Sequence, residues 1–494
     1  MIYPDYYKFE NLSKDSKMVP ICMEIEGDMD TPITLYRKLC KSKNSFLLES
    51  LENGNKWGKF SFIGRNPFII VKCNGDEVII NKEDKVINKK GNSIEIIKEL
   101  INDYRAPKID NMPDFTGGAV GYMGYDIIRN YEKLPNVNKD DIKMPDVHLL
   151  ITKEVIAYDH TKQKIKIIVN TLIKDDIKKC YEQGINRLKE IKKEILENNF
   201  YVEEQKENLE EIKYASNETK EEFMQKVLKA KKYIRNGDIF QVVLSQRLEV
   251  KTSINPFKAY RTLRTLNPSP YMYYIDFGDY QIVGSSPELL VKANKGIVET
   301  CPIAGTRPRG KDVKEDDKYS KELLEDEKER AEHLMLVDLA RNDIGKISEF
   351  GTVKVNQYME IQKYSHVMHI VSNVIGKMKK EYDMYDALAA CQPAGTVSGA
   401  PKVRAMEIID ELENNKRGVY AGAIGYLGFN GNMDTCIAIR TVVFKDNTAY
   451  IQAGAGIVAD SNPESEYNET LRKAKALIET IKKVGGENID CNNR

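Results

Sequence analysis

An α+β fold, with antiparallel sheets carrying helices on their outer faces, follows from three features of the sequence. Short alternating runs joined by tight turns fill long stretches of both halves. Helical-period segments come in groups, without the regular strand–helix–strand rhythm of a parallel sheet, and no segment repeats at a fixed period.

From Cys22 to Val169 short alternating runs dominate. Phe68–Cys73 and the run opening at Glu77 are separated by Asn74-Gly75-Asp76, a hairpin signal. Gly117 to Tyr125 is a glycine-rich strand suited to close packing against another backbone. Asp175 to Leu196 reads as helix, and Glu197 to Lys220, rich in Glu, Lys and Asn, as a partly helical inter-domain linker. The expected division is an N-terminal domain over 20–170, a helix and linker over 171–218 and a second domain over 219–485.

The second domain opens with a helix from Thr219 to Asn236, its apolar face set by Phe223, Val227, Ala230 and Ile234 and its end marked by Gly237. Strands are predicted at Phe240–Leu248, Tyr271–Phe277, Gln281–Val283 and Ile297–Pro302, then one long helix over Asp317–Arg341. Strands return at His366–Val374 and from Tyr420 to Phe444, the latter broken by Asn430-Gly431. A final helix opens at Pro463, with Asn462 as its cap.

Lys plus Arg and Asp plus Glu both number 75, so no net field points to nucleic acid or an anionic membrane. The eight Cys are scattered without a CxxC spacing, which suits reduced thiols and argues against a disulfide scaffold or a zinc site. The start lacks a signal-like pattern and no apolar run reaches membrane-spanning length, so a cytoplasmic protein is expected.

Two acidic spacings stand out. Glu329/Glu332 and Glu466/Glu469 are each three positions apart in helical stretches, so each pair shares a helix face, the first continuing the face of Leu336 and Leu339. Such a pair is more often a solvated helix face. Two pairs together point instead to an all-oxygen site for a hard divalent ion such as Mg²⁺, because carboxylates on a buried face need a cation. Arg440, among apolar neighbours, requires an anionic partner, either a protein acid or a substrate carboxylate. Glu288, following a strand, is a candidate general acid. The glycines of Gln452-Ala-Gly-Ala-Gly456 expose amides that suit an oxyanion. His366 and His369, on one predicted strand, point to opposite faces and so form no bidentate metal pair.

These segments occur in an order that resembles the chorismate-utilising enzymes: Gly284-Ser-Ser-Pro-Glu288, Pro302-Ile-Ala-Gly-Thr-Arg-Pro-Arg-Gly310, Glu329-Arg-Ala-Glu-His333, Val337-Asp-Leu-Ala-Arg-Asn-Asp343, Pro393-Ala-Gly-Thr-Val-Ser-Gly-Ala-Pro-Lys402 and Gln452-Ala-Gly-Ala-Gly-Ile-Val-Ala-Asp-Ser461. The resemblance is strongest to the family's anthranilate-forming large subunits and runs from the twenties to the last helix. It implies a sheet sandwich with outer helices and an N-terminal regulatory subdomain. It implies Glu332 and Glu469 as direct Mg²⁺ ligands, supported by Glu329 and Glu466. Gly305, Thr306, Thr396, Tyr420, Arg440, Gly454, Ala455 and Gly456 match the chorismate-binding positions. Glu288 matches the acid that protonates the departing C4 hydroxyl, and His369 the histidine of the pyruvate-eliminating step.

Two positions separate products within the family. Isochorismate-forming relatives carry a water-activating Lys where this chain has Gln241, and aminodeoxychorismate synthases often carry Lys where it has Ala304. Ammonia is therefore the expected nucleophile and anthranilate the expected product. Ser50, Pro270, Tyr271 and Met272 match the family's tryptophan feedback site, with Glu49 as a candidate partner for the ligand's ammonium. No glutamine-hydrolysing motif is present, which implies a separate amidotransferase subunit as ammonia source and a hetero-oligomer. An aminodeoxychorismate-forming enzyme, a silent binder of tryptophan or chorismate, and a Mg²⁺-dependent hydrolase remain as alternatives.

Overall fold

The computed structural model describes residues 1–50, 58–83, 85–198, 212–364 and 367–486. Their strands form two antiparallel sheets, one of 13 strands and one of 12. Each sheet is continuous across the two halves of the sequence. Ser45–Glu49 pairs with Tyr271–Asp276 in the larger sheet, and Gly118–Met123 with Ala423–Gly428 in the smaller.

The sheets face each other across an apolar layer that includes Phe46, Val155, Tyr273 and Ile282 from one and Val120, Leu150, Ile424 and Tyr426 from the other. The outer face of the larger sheet is covered by helices Ile177–Glu197, Pro256–Leu266 and Pro463–Val484. That of the smaller is covered by Ser93–Asn102, Glu327–Ile347 and Met384–Cys391. Alternation places one row of side chains in the central layer and the next under a helix, and this is why so many strands are buried on both faces. The α+β expectation, with antiparallel sheets and outer helices, matches this architecture.

The expected hairpin and the close-packed glycine-rich strand also match. Ile69–Asn74 and Glu77–Lys82 form the hairpin. A Cβ on Gly118 would lie 2.1 Å from the Leu427 carbonyl oxygen and one on Gly121 2.0 Å from that of His148, so neighbouring backbones occupy the space a side chain would need. The seven described cysteines are all free. No helix among the described residues is long and apolar enough to cross a membrane.

Four expectations are corrected. The single helix over 317–341 is two, Val313–Glu325 and Glu327–Ile347, because the Asp326 side chain turns back to accept the amides of Lys328 and Glu329 and caps the second. The linker, expected to be partly helical, instead includes a strand, Tyr214–Ser216, which pairs with the edge of Gln241–Lys251; residues 199–211 of it lie outside the described set. Strands that were not expected include Leu289–Asn294, Ile303–Pro308, Lys354–Lys363 and Thr448–Ile457. Arg440 is not mid-strand: it stands between Met433–Ile437 and Thr441–Lys445 with φ of 51°, where the chain leaves the smaller sheet for the larger.

Candidate active site

That crossing has a neighbour. Glu288 stands where the chain passes the other way, from Tyr280–Ser286 in the larger sheet to Leu289–Asn294 in the smaller. The two crossings are tied by the Ser285 amide donating to the Arg440 carbonyl (3.0 Å) and the Ile437 amide donating to that of Glu288 (3.0 Å). The backbone that carries this carboxyl and this guanidinium is thus cross-linked where the chain passes between the sheets.

Both open into a cavity of about 620 Å³. The size suits a small ligand bearing several polar groups. Around it the fold gathers residues from distant stretches: Gly305 and Thr306, His369, Thr396, Tyr420, Gly454 and Gly456, and all four acidic residues of the two helices. Ala455 is the exception among the sequence candidates; it is fully buried in the core, as alternation between two cavity-facing glycines requires. His366 lies outside the described residues.

Electrostatics differentiate these groups. Glu288 is pushed up to about 8 by burial, which the nearby Thr396 hydroxyl, Ile303 amide and Lys473 charge only partly oppose. At neutral pH it is a carboxylic acid. His369 is pushed down to about 4, chiefly by burial, and is neutral. Its Nδ1 lies 2.8 Å from the Gly305 carbonyl oxygen, which can only accept, so Nδ1 carries the proton and Nε2 keeps its lone pair. Gly305 itself sits in a strand irregularity with φ of 70°, a conformation glycine adopts without strain. Burial lowers the Arg440 guanidinium, and among the described residues no carboxylate pairs with it.

The acidic helices present a different balance. Lys473 pairs with Glu469 at 2.8 Å and Arg307 with Glu329 at 3.4 Å. Glu332 and Glu466 have no paired cation among the described residues. Burial raises both above the usual carboxylate range, and neighbouring acids raise them further: Glu329 and Glu469 for Glu332, Glu469 for Glu466. No three acidic or imidazole groups among the described residues stand at metal-ligand spacing as placed. The excess of desolvated carboxylate oxygen nonetheless fits a hard divalent cation, which would relieve that repulsion.

Lys473 was missed in the sequence. It shares the face of Glu466 and Glu469 by helical period, and its ammonium also donates to the Gly454 carbonyl at 3.0 Å. Gln241 and Ala304 both line the cavity.

The second candidate set lies apart from this cavity. Met272 pairs with Glu49 at the end of a ladder, and Ser50 is the next residue beyond it. The Ser50 hydroxyl is buried without a hydrogen-bond partner among the described residues. Pro270 is buried, and the Tyr271 hydroxyl donates to Asp434 at 2.9 Å. Glu49 does not offer a free carboxylate: it accepts from Tyr260 at 2.5 Å and from Arg264 at 3.0 and 3.2 Å. Residues 51–57, which follow Ser50, are outside the described set.

A family model described as chorismate binding enzyme matches residues 44–479. The chain is 54% identical over 493 residues to anthranilate synthase component 1 of Acetivibrio thermocellus, covering 98% of this chain and 99% of that one. It is 47% identical to the Aquifex aeolicus protein of the same name, covering 95% and 96%. A crystal structure of anthranilate synthase component I from Streptococcus pneumoniae matches with a TM-score of 0.75 at 42% identity, over 87% of this chain and 93% of that one. The menaquinone-specific isochorismate synthase of Escherichia coli shares the fold, with a TM-score of 0.71 at 18% identity over 96% and 98%. The chain belongs to the chorismate-binding enzymes and, among them, to the anthranilate synthase component 1 proteins.

Proposed function

We propose that the chain converts chorismate and ammonia to anthranilate and pyruvate, with Mg²⁺ held by Glu332 and Glu469 and supported by Glu329 and Glu466. The observation that carries this reading is a single cavity holding a protonated carboxyl, a neutral imidazole, an unpaired guanidinium and an excess of carboxylate oxygen. A bound Mg²⁺ would neutralise the substrate's ring carboxylate and withdraw charge from the ring.

The chain's own residues divide the remaining work. Arg440 receives the substrate carboxylate that it lacks within the protein, and the amides around Gly454 and Gly456 receive anionic oxygen. Glu288, a neutral acid at working pH, gives its proton to the C4 hydroxyl as ammonia adds at C2. His369, with Nδ1–H committed to Gly305, uses Nε2 to take the C2 proton in the step that releases pyruvate and aromatises the ring. Gln241 and Ala304 supply neither a base for water nor an amine nucleophile, which favours ammonia addition and anthranilate.

Ammonia is drawn from a separate glutamine amidotransferase component, as the name component 1 of the relatives fits. Segment 20–170 and the strand Tyr271–Asp276 together carry a tryptophan site at Ser50, Pro270, Tyr271 and Met272. The buried, unpartnered Ser50 hydroxyl and its place beside Met272 support that reading. Ser50→Phe fills the space beside the ladder end. Tryptophan inhibition is expected to weaken by about tenfold or more while uninhibited turnover stays within about twofold, of the order that one lost buried contact gives. Undiminished inhibition, measured by titration, removes Ser50 from the site.

The reading is tested by product fluorescence from purified protein with chorismate, Mg²⁺ and ammonium at alkaline pH. Anthranilate should appear, vanish with EDTA and fall with added tryptophan. Chorismate consumed without anthranilate moves the product to aminodeoxychorismate or isochorismate, and no consumption at all overturns the enzymatic reading.

A further inference from the structure

Behind the cavity wall lies an ion pair that none of these roles uses. Among the described residues, strand Gln241–Lys251 has paired neighbours along its outer edge only at its ends: Gly399–Ala400 beside Gln241 and Val242, and Tyr214–Ser216 beside Leu248–Val250. The gap between them is closed by side chains. Arg417 donates to the Val243 carbonyl at 2.7 Å, and Glu413 accepts from the Ser245 amide at 2.8 Å and its hydroxyl at 2.9 Å. The pair is itself bidentate, Nε to Oε2 at 2.9 Å and NH2 to Oε1 at 2.6 Å, and both residues are buried. Burial opposes the guanidinium charge, but the Glu413 carboxylate more than restores it.

The pair's remaining hydrogen bonds lead to residues of the cavity wall. Arg417 donates to the carbonyl of Val397, next to Thr396, at 2.7 Å. Its guanidinium carbon lies over two rings, 4.7 Å from the centroid of Tyr125 and 5.5 Å from that of Tyr420. Ser245, held by Glu413, accepts from the Gln452 side-chain amide at 2.8 Å, two residues before Gly454. Val243, Val397, Tyr420 and Gln452 all line the cavity, whereas Glu413 and Arg417 do not.

We propose that Arg417, locked by Glu413, is a positioning residue that fixes the substrate-facing wall formed by Tyr420, Thr396–Val397 and the Gln452–Gly456 segment. It acts through them, without touching substrate, and the proposal rests on the chorismate reading of the cavity. A planar fork with several donors is required, because three fixed acceptors and a ring face must be met at once. Lysine keeps the charge but satisfies at most part of this set.

Arg417→Lys is expected to remain folded and to raise KM for chorismate about tenfold or more, with a smaller change in kcat, since a displacement of about 1 Å in a positioning shell costs up to about a hundredfold. Tyr125→Leu, which removes the one of the two rings that does not line the cavity, should shift KM in the same direction. Combined with Tyr420→Phe, Arg417→Lys should lose less than the product of the two single losses, because both act on the same ring. If both variants fold by circular dichroism and keep the wild-type KM, or if the double variant is strictly multiplicative, the pair only holds the sheet together and the proposal fails. Should Arg417→Lys not fold, Tyr125→Leu alone decides by the same KM criterion. A wild type that does not consume chorismate refutes instead the functional reading beneath it.

Discussion

Glu288→Gln is expected to lower turnover by about 10²–10⁴-fold, the range for a lost general acid, while making the protein more stable at pH 8. The two effects have one cause. Burial raises the carboxyl from 4.5 to about 8 in the folded chain, whereas the unfolded chain keeps the ordinary value. Below pH 4.5 both states hold the proton and Glu288 costs nothing in relative terms. Between pH 4.5 and 8 the unfolded state releases its proton and the folded state does not, so stability falls as pH rises through this window. Glutamine removes that dependence, and at pH 8 the variant should gain roughly 2–4 kcal/mol, below the full shift because the site relaxes. The acid also shapes the rate profile. With the concentration of free ammonia held constant, wild-type kcat/KM should fall above pH 8 as Glu288 ionises. Denaturant unfolding of both proteins at pH 4.5 and 8, beside the rate profile, checks both halves. A stability difference between the two proteins that is the same at both pH values would show the Glu288 carboxyl to keep its ordinary value in the folded chain, and near-normal turnover would remove it from the chemistry.

The parts of this site that were legible in the sequence were those that local period and composition encode. Glu329/Glu332 and Glu466/Glu469 each occupy one face of one helix, so three-residue spacing was enough to pair them. The hairpin at Asn74-Gly75, the N-cap at Asn462 and the glycines that press against neighbouring strands are likewise local chemistry. The functions proposed for individual residues came instead from resemblance, because spacing alone left Arg440 with either a protein acid or a substrate as partner.

Tertiary decisions were not legible. The run Cys436-Ile-Ala-Ile-Arg-Thr-Val-Val-Phe444 is apolar on both sides of Arg440, so nothing in its pattern announces that the chain changes sheet there. It contains no glycine, proline or asparagine to signal a turn, and only the packing of two sheets forces the positive φ. The same holds for Glu288, whose flanking strands Tyr280–Ser286 and Leu289–Asn294 belong to different sheets. Asp326 lies in a stretch of strong helix formers without glycine or proline, which hides the break its side chain caps. Lys354–Lys363 alternates exposed with half-buried positions and joins the smaller sheet through Val367–Lys377, a weak pattern for a strand at an edge. Arg417 stood in an unremarked polar loop, since only the gap in the neighbouring sheet edge gives its guanidinium a use.

Glu332→Gln is expected to abolish measurable turnover, a loss of at least about 10³-fold, and to do so without unfolding the chain. On the proposed reading, the metal's stabilisation of transition-state charge would be lost with the ligand that would hold it, since an amide oxygen is a weaker, neutral donor. In the metal-free protein the same carboxylate is a burden, because burial and the neighbouring Glu329 and Glu469 all disfavour its charge. Removing it relieves like-charge repulsion, so the metal-free variant should melt no lower than wild type. Mg²⁺ then separates the two proteins independently of activity. A ligand that binds only the folded state raises the melting temperature in proportion to the logarithm of its concentration over Kd. Wild-type protein should show this rise and Glu332→Gln should lose most of it, with Glu469→Gln, freed of its pairing with Lys473, behaving alike. Calorimetric titration of Mg²⁺ into each protein without chorismate gives the same comparison directly. Near-normal turnover in either variant, or an undiminished Mg²⁺ response, would move the cation away from these two helices and leave the carboxylates as a charge reserve for some other ligand.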